Sequence, residues 1–242
     1  MFYYLAAPIA VYNIILIAAA VIPAFFLMVR VYRSDRLDKE STQILWQLVK
    51  AGILAALLAL VEEKILFAVA GSLFPEESTM YNVILYFVIV AGAEESSKYI
   101  FMRRATWNSP EFNCQYDGVV YAVFTSLGFA LWENISYVLH YGFSTALVRA
   151  VTAIPGHACF GVFMGVFYGL ARRSASESAS SSDVTKYNVL SILVPMLLHG
   201  AYDFIATMEE TGSGLYFLIF TALLFFFAYR VTGRSSKEDR YI

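Results

Sequence analysis

The sequence predicts an all-α protein, a polytopic transmembrane bundle of about seven helices, on three observations. Of its 242 residues, 59% are hydrophobic and only 15% are charged, and the mean hydropathy is +0.62. A soluble domain of ordinary composition carries about a quarter charged residues. Several apolar runs also reach the length of about 20 residues that crosses the hydrocarbon core of a bilayer. Residues 1–242 are therefore predicted to form a single integral membrane domain.

The predicted helices follow the apolar runs, and short polar or basic segments separate them. Their approximate limits are Ile9–Val29, Ile44–Phe67, Tyr81–Met102, Gly118–His140, Ala146–Ala171, Tyr187–Thr207 and Gly214–Tyr229. The Ser-rich segment at about 172–186, "RRSASESASSSDVTK", is too polar to pack against a core. We expect it to be a mobile loop in the cytoplasm.

The basic residues predict the orientation, because lysine and arginine favour cytoplasmic loops. If seven helices alternate across the membrane, 14 of the 17 lysine and arginine residues fall on one side. The N-terminus is then expected outside and the C-terminus in the cytoplasm of a bacterial-type inner membrane. The net charge of −2 and the absence of a large basic domain give no reason to expect a nucleic-acid partner. The expected surroundings are the lipid bilayer.

The third predicted helix contains charges where ionised groups are least stable. In "YFVIVAGAEESSKYIFM", Glu94, Glu95 and Lys98 lie well inside an apolar run. A charge at the bilayer centre costs on the order of 2.5–3.5 kcal/mol on insertion scales, so it usually marks function or pairing. Glu94 and Lys98 are four residues apart and can pair on one face, which leaves Glu95 for another partner. Glu62 and Glu63, in "LVEEKIL", come near the outer end of helix two and are predicted to be interfacial.

The next two predicted helices add further polar groups. "GFALWENISY" places Glu133 and Asn134 deep in helix four, although an asparagine alone more often bonds a neighbouring helix. "AIPGHACFGVFMGVFYGL" places His157 one turn before a stripe of glycines at every fourth position. Glycines at that spacing allow close helix approach, so His157 is expected to point into the bundle. Pro155 is expected to start or kink this helix.

The sixth predicted helix carries "VPMLLHGAYDF", in which His199 and Asp203 are four residues apart. The carboxylate can then orient the imidazole and fix its tautomer. Helices three to six thus each contribute ionisable residues, and we expect them to form a catalytic four-helix core at about residues 81–207. The candidate catalytic residues are Glu94, Glu95, Glu133, His157 and His199, with Lys98, Asn134 and Asp203 in support.

Two mechanisms fit such a set, and both activate water. In the first, a glutamate is the general base, while a histidine and Asn134 stabilise the oxyanion. In the second, His157 and His199 bind a divalent ion such as Zn²⁺ with one glutamate, and another glutamate is the base. The first mechanism needs no cofactor, and the second needs a metal ion such as zinc. The sequence lacks the HExxH helix that would identify a zinc protease, so both mechanisms stay open.

The four motifs together resemble the PrsW intramembrane proteases, which are related to the CAAX prenyl endopeptidases of the CPBP superfamily. The resemblance covers "EESSK", "FALWEN", "PGHA" and "HGAYD", in order, from about Glu94 to Asp203. Glu133 stands where the CAAX enzymes have histidine, which favours a PrsW-type substrate over a prenylated protein. The resemblance implies site-1 cleavage of a single-span membrane protein, often an anti-sigma factor, at the start of a stress response.

The sequence therefore predicts a membrane-embedded protease, of glutamate or metal-dependent type. Two alternatives remain from other functional classes. Chained glutamate, histidine and aspartate residues also serve as relays in proton- or ion-coupled transporters, although no internal repeat supports that reading. A non-catalytic protein that binds transmembrane peptides is the other alternative.

Overall fold

Apolar runs fold into long helices throughout the computed structural model, which describes residues 2–75, 78–177, 180–208 and 212–242, with the backbone alone for residues 2–10, 12 and 13. The helices are α1 (Phe2–Ser34), α2 (Thr42–Leu73), α3 (Thr79–Val83), a π-helical segment (Ile84–Val90), α4 (Ala91–Thr106), α5 (Asp117–Tyr141), α6 (Phe143–Val151), α7 (Ala153–Ser176), α8 (Ser181–Ala206) and α9 (Ser213–Lys237). The all-α prediction is confirmed. In the described ranges, six helical stretches are long and apolar enough to cross a membrane.

Two of the predicted helices are interrupted. The third consists of α3, the π-helical segment and α4 in direct succession. The fifth was predicted as one helix over Ala146–Ala171, and this is wrong, because the chain breaks at Thr152 between α6 and α7. Pro155 lies in the first turn of α7, where its missing N–H is tolerated, whereas it would interrupt the hydrogen bonds of a continuous helix.

The Ser-rich segment is more helical than its composition suggests. Helix α7 continues to Ser176 and α8 begins at Ser181, so most of the predicted loop at about 172–186 is helical. The Ser180 hydroxyl accepts a hydrogen bond from the Ser182 N–H at 3.2 Å and caps α8. Residues 178 and 179 lie outside the described ranges, and the mobility of the segment stays a prediction.

The segments richest in lysine and arginine meet at one end of the bundle, called the basic end below. The loop between α4 and α5 ties these segments together, since Glu111 accepts hydrogen bonds from the backbone and hydroxyl of Ser41 at 2.8 and 2.9 Å. The same loop pairs with the C-terminal segment, where the Ile242 N–H donates to the Asn113 carbonyl at 2.8 Å. The clustering of basic segments is thus observed, whereas the side of the membrane that they face stays a prediction.

Helix α5 is the central helix, and glycines bring its neighbours close to it. A Cβ atom added at Gly118 would lie 2.6 Å from the Gly165 carbonyl oxygen of α7. One added at Gly52 of α2 would lie 2.6 Å from the Phe129 backbone nitrogen. Without side chains at these positions, the helix backbones approach each other closely and hold α2, α5 and α7 as a rigid core.

Gly165→Ala should destabilise the bundle, because the new methyl group meets backbone atoms of Gly118 and Val119. Overpacking of this kind costs about 1–3 kcal/mol, which a lowered thermal unfolding temperature in detergent would report. The matched control is Gly214→Ala in α9, where an added Cβ has nothing within 4 Å. Equal unfolding temperatures for the two variants would contradict the close packing of α5 on α7.

Candidate active site

The two adjacent glutamates lie in the first turns of α4, directly after the π-helical segment. π-Helical turns are rare and often occur at functional sites. Glu94 is 6% exposed and Glu95 is fully buried. Both residues are thus buried within the bundle, and only Glu94 retains contact with open space.

Lys98 forms the centre of a buried polar cluster. Its ammonium lies 3.0 Å from Glu94 Oε2 and 2.7 Å from Glu95 Oε1. The same nitrogen is 3.3 Å from His157 Nδ1 and 4.0 Å from the centre of the Phe129 ring. Lysine is fully buried here, so its charge depends on these partners. The expected pair between Glu94 and Lys98 is confirmed, and Glu95 has a further partner in His199, but Lys98 also contacts Glu95.

Each buried histidine contacts at least one carboxylate, which orients its ring. His157 Nε2 lies 2.8 Å from Glu133 Oε2. His199 Nδ1 lies 2.9 Å from Glu95 Oε1, and its Nε2 lies 3.3 Å from Asp203 Oδ2. The two imidazole centres are 5.4 Å apart. The structure thus brings together all five candidate catalytic residues, and it confirms the predicted contact between His199 and Asp203.

Arg149 is a site residue that the sequence analysis missed. Its guanidinium lies 3.0 Å from Glu133 Oε2, and its Nε donates to Asn134 Oδ1 at 2.9 Å. A single arginine near a predicted helix end gives little signal, because such residues normally reach the membrane surface. The short helix α6 instead folds Arg149 back over α5, which periodicity alone does not reveal.

Asn134 does not have the oxyanion role considered from the sequence. Its amide NH₂ donates to the Ala20 carbonyl of α1 at 3.1 Å, and its oxygen is occupied by Arg149. The side chain is fully buried. Asn134 therefore connects α5 to α1 and positions Arg149, in keeping with the interhelical hydrogen bond expected of a lone asparagine.

The glutamates of α2 are also closer to the site than predicted. Glu62 accepts a hydrogen bond from the Ser97 hydroxyl at 3.0 Å, and Glu63 lines the same cavity as Glu94. Both side chains are half-buried. The pair lies near the cluster because α2 packs directly along α4 and turns its outer part towards it, and its interfacial position stays a prediction.

The cluster opens into a cavity of about 680 Å³ between α2, α5, α7 and α8. Its acidic, basic and histidine lining residues are Glu63, Glu94, Glu133, Arg149, His157, His199 and Asp203. Glu95, Lys98 and Asn134 lie behind this lining. Glu94 and both imidazoles reach the surface of this cavity.

The donor set fits a divalent metal ion by residue type and spacing. One ligand atom each from Glu94, Glu95 and His157 lies within 4.8 Å of the others. Nitrogen and carboxylate oxygen are ligands that zinc accepts. The set has two glutamates and one histidine, whereas the sequence motifs predicted two histidines with one glutamate. Lys98 contacts all three residues, so an ion would bind there only after the ammonium moves away.

A helix bundle with buried carboxylates and imidazoles around a cavity of this size has the make-up of a membrane-embedded hydrolase. A model of the PrsW family intramembrane metalloproteases matches residues 40–230. The chain belongs to this family, and it is a multi-pass protease of the bacterial cell membrane.

Curated relatives of the same length support the assignment. Protease PrsW of Bacillus subtilis strain 168 is 31% identical over 93% of this chain and 97% of its own length. Protease PrsW of Oceanobacillus iheyensis is 35% identical over 78% of this chain and 82% of its own length. Protease PrsW of Geobacillus kaustophilus is 30% identical over 93% and 94% of the two chains. No solved structure matches the chain.

Arg149→Gln should lower the turnover of substrate by about 10–100-fold, because Glu133 and the imidazole that it orients lose their charged partner. Arg149→Lys should restore part of the loss, since it keeps the charge that faces Glu133. The control is Arg173→Gln, which breaks an exposed pair with Glu177. A rise in KM at constant kcat would contradict this positioning role.

Proposed function

We propose that the protein hydrolyses a peptide bond of a single-span membrane protein inside the bilayer, with Glu94 as the general base. The observation that supports this is the position of Glu94 at the cavity surface, beside Lys98 and facing both histidines. Glu95 is fully enclosed, so it is the less suitable base. It instead holds Lys98 and His199 in place.

The reaction would start with a water molecule in the cavity next to Glu94. Glu94 takes a proton from that water molecule. At the same time the water oxygen attacks the peptide carbonyl carbon, and a tetrahedral oxyanion forms. The proton then passes to the departing amine as the C–N bond breaks. One carboxylic acid and one amine result, and the water molecule is consumed.

The two imidazoles are placed to stabilise the developing negative charge. His157 and His199 both line the cavity, and one ring nitrogen of each contacts a carboxylate, of Glu133 and of Asp203 respectively. Such contacts fix the ring orientation before the reaction, which is the condition for effective electrostatic stabilisation. Glu133, Asp203, Lys98 and Asn134 act through these groups, and we propose them as orienting and charge-balancing residues.

Zinc would be held by Glu94, Glu95 and His157 in a metal-dependent form of the site. When bound there, zinc would lower the pKa of a water molecule and polarise the peptide carbonyl. Elemental analysis and chelation separate the two forms. The glutamate form predicts less than stoichiometric metal and unchanged cleavage after chelation, whereas a stoichiometric ion whose removal abolishes cleavage would establish the metal form.

The proposed substrate is a single-span membrane protein such as an anti-sigma factor, cut at the first site of a stress-response cascade. The motif order that resembles PrsW also supports placement of the chain in the CPBP superfamily. We also propose that the basic end of the bundle faces the cytoplasm. Membrane proteomics of cells that express the protein or its Glu94→Gln variant tests the substrate class, because only the active protein should release fragments of a single-span protein. Identical fragment sets would overturn it.

A further inference from the structure

A second large cavity lies on another face of α7 and is separate from the active site. It measures about 1150 Å³ and is bounded by α1, α7 and α9. Its walls towards the bundle centre are apolar, with Leu27, Val31, Ala158, Val162 and Phe225 among them. We call it the basic groove, because its other part lies at the basic end.

The charge of the groove is strongly one-sided. Six basic residues line its end: Arg30, Arg33, Arg36, Arg230, Arg234 and Lys237. One acidic residue, Glu238, lines it too, and it pairs with Arg234 at 2.9 Å. An excess of positive charge therefore surrounds the mouth of an apolar cleft.

Two basic residues outside the groove at the same end of the bundle, Arg103 and Arg173, contact other side chains. Arg103 hydrogen bonds to Asn188 at 2.9 Å and lies 3.9 Å from the Trp107 ring. Arg173 pairs with Glu177 at 2.8 Å. Within the described ranges, by contrast, Arg33 and Arg230 make no side-chain hydrogen bond or ion pair, and both are exposed.

The general preference for positive charge on the cytoplasmic side explains basic residues at helix ends, but it does not require them to share a cleft. Here they come from α1 and α9, at opposite ends of the sequence. The two helices make few contacts with each other and leave the groove between them. The apolar walls suit the acyl chain of an amphipathic molecule, and the basic mouth at the membrane surface suits its anionic head group.

We propose that the basic groove binds an anionic phospholipid. Its phosphate would lie among the arginines of α1 and α9, and an acyl chain would follow the apolar walls towards the bundle centre. Arginine suits phosphate because its guanidinium donates two parallel hydrogen bonds. Basic pockets between transmembrane helices commonly take anionic lipid head groups. A free phosphate would leave the apolar walls uncovered, so the lipid is the occupant that fits both parts.

Native mass spectrometry of the purified protein in neutral detergent tests the proposal. Phosphatidylglycerol and phosphatidylcholine with the same acyl chains are titrated, and the protein should retain the anionic lipid at lower concentration. Arg33→Gln with Arg230→Gln should weaken phosphatidylglycerol binding about tenfold, since each basic residue near a membrane surface contributes to anionic-lipid attraction.

The matched control is Arg104→Gln with Lys186→Gln, which removes the same charge from exposed positions outside the groove. It should leave the lipid preference unchanged, and equal loss in both double variants would overturn the proposal. Equal retention of the two lipids by the unaltered protein would also overturn it. A third experiment uses the unaltered protein alone, so its result does not depend on whether a variant folds. Displacement of phosphatidylglycerol by equimolar inorganic phosphate would show an anion site without a lipid.

Discussion

Glu94→Gln is expected to reduce cleavage of a single-span substrate by about 10²–10⁴-fold, because an amide cannot accept the proton of the attacking water. Glutamine keeps the size of the side chain, and it still accepts a hydrogen bond from Lys98. The variant should therefore fold, and quantitative immunoblotting of substrate and fragment in the same cells measures the loss. Glu95→Gln, His157→Gln and His199→Gln should each also abolish cleavage, since they remove groups that surround the base.

The matched control for these variants is Glu177→Gln, at an exposed position far from the cavity. It should cleave at the normal rate and accumulate to the same level. Normal cleavage by Glu94→Gln would remove Glu94 from the role of base. Normal cleavage by the Glu95, His157 and His199 variants together would contradict the whole site.

Lys98→Met is expected to destabilise the folded protein by about 3–5 kcal/mol, because it leaves buried carboxylates without their cation. Lys98 is fully buried and contacts Glu94 and Glu95 at 3.0 and 2.7 Å. Methionine fills a similar volume, so the loss reports charge rather than a cavity. Thermal unfolding in detergent measures it as a lowered transition temperature.

A compensating variant separates charge from packing at this position. Lys98→Met combined with Glu95→Gln should recover much of the lost stability, since the second change removes one uncompensated charge. Lys186→Met, at an exposed position of α8, should unfold like the unaltered protein. An unchanged transition temperature for Lys98→Met would show that Lys98 is not the charge that holds the cluster.

Depth in the membrane was the most useful signal in the sequence. An apolar run that contains Glu94, Glu95 and Lys98 has few physical explanations, and the same holds for Glu133, His157 and His199 in the following runs. Their assembly in one cluster could be anticipated because consecutive helices in a small bundle are neighbours.

The sequence did not predict the side-chain positions that depend on how the helices pack. Glu62 and Glu63 were placed by counting residues from the helix end, but α2 lies against α4 and carries them to the cluster. Arg149 reaches Glu133 only because the chain breaks at Thr152 and turns α6 back over α5. Linear spacing does not encode either arrangement, since both depend on the angle between helices.

Cleavage in proteoliposomes tests the central claim most directly. Purified protein is reconstituted with the single-span substrate whose fragments depend on Glu94, and the products are weighed by intact mass spectrometry. The active protein should yield two fragments whose masses add up to the substrate plus one water molecule, and Glu94→Gln should leave the substrate whole. An intact substrate with the active protein, whether bound to it or accompanied by ion flux across the vesicle, would contradict a hydrolytic site.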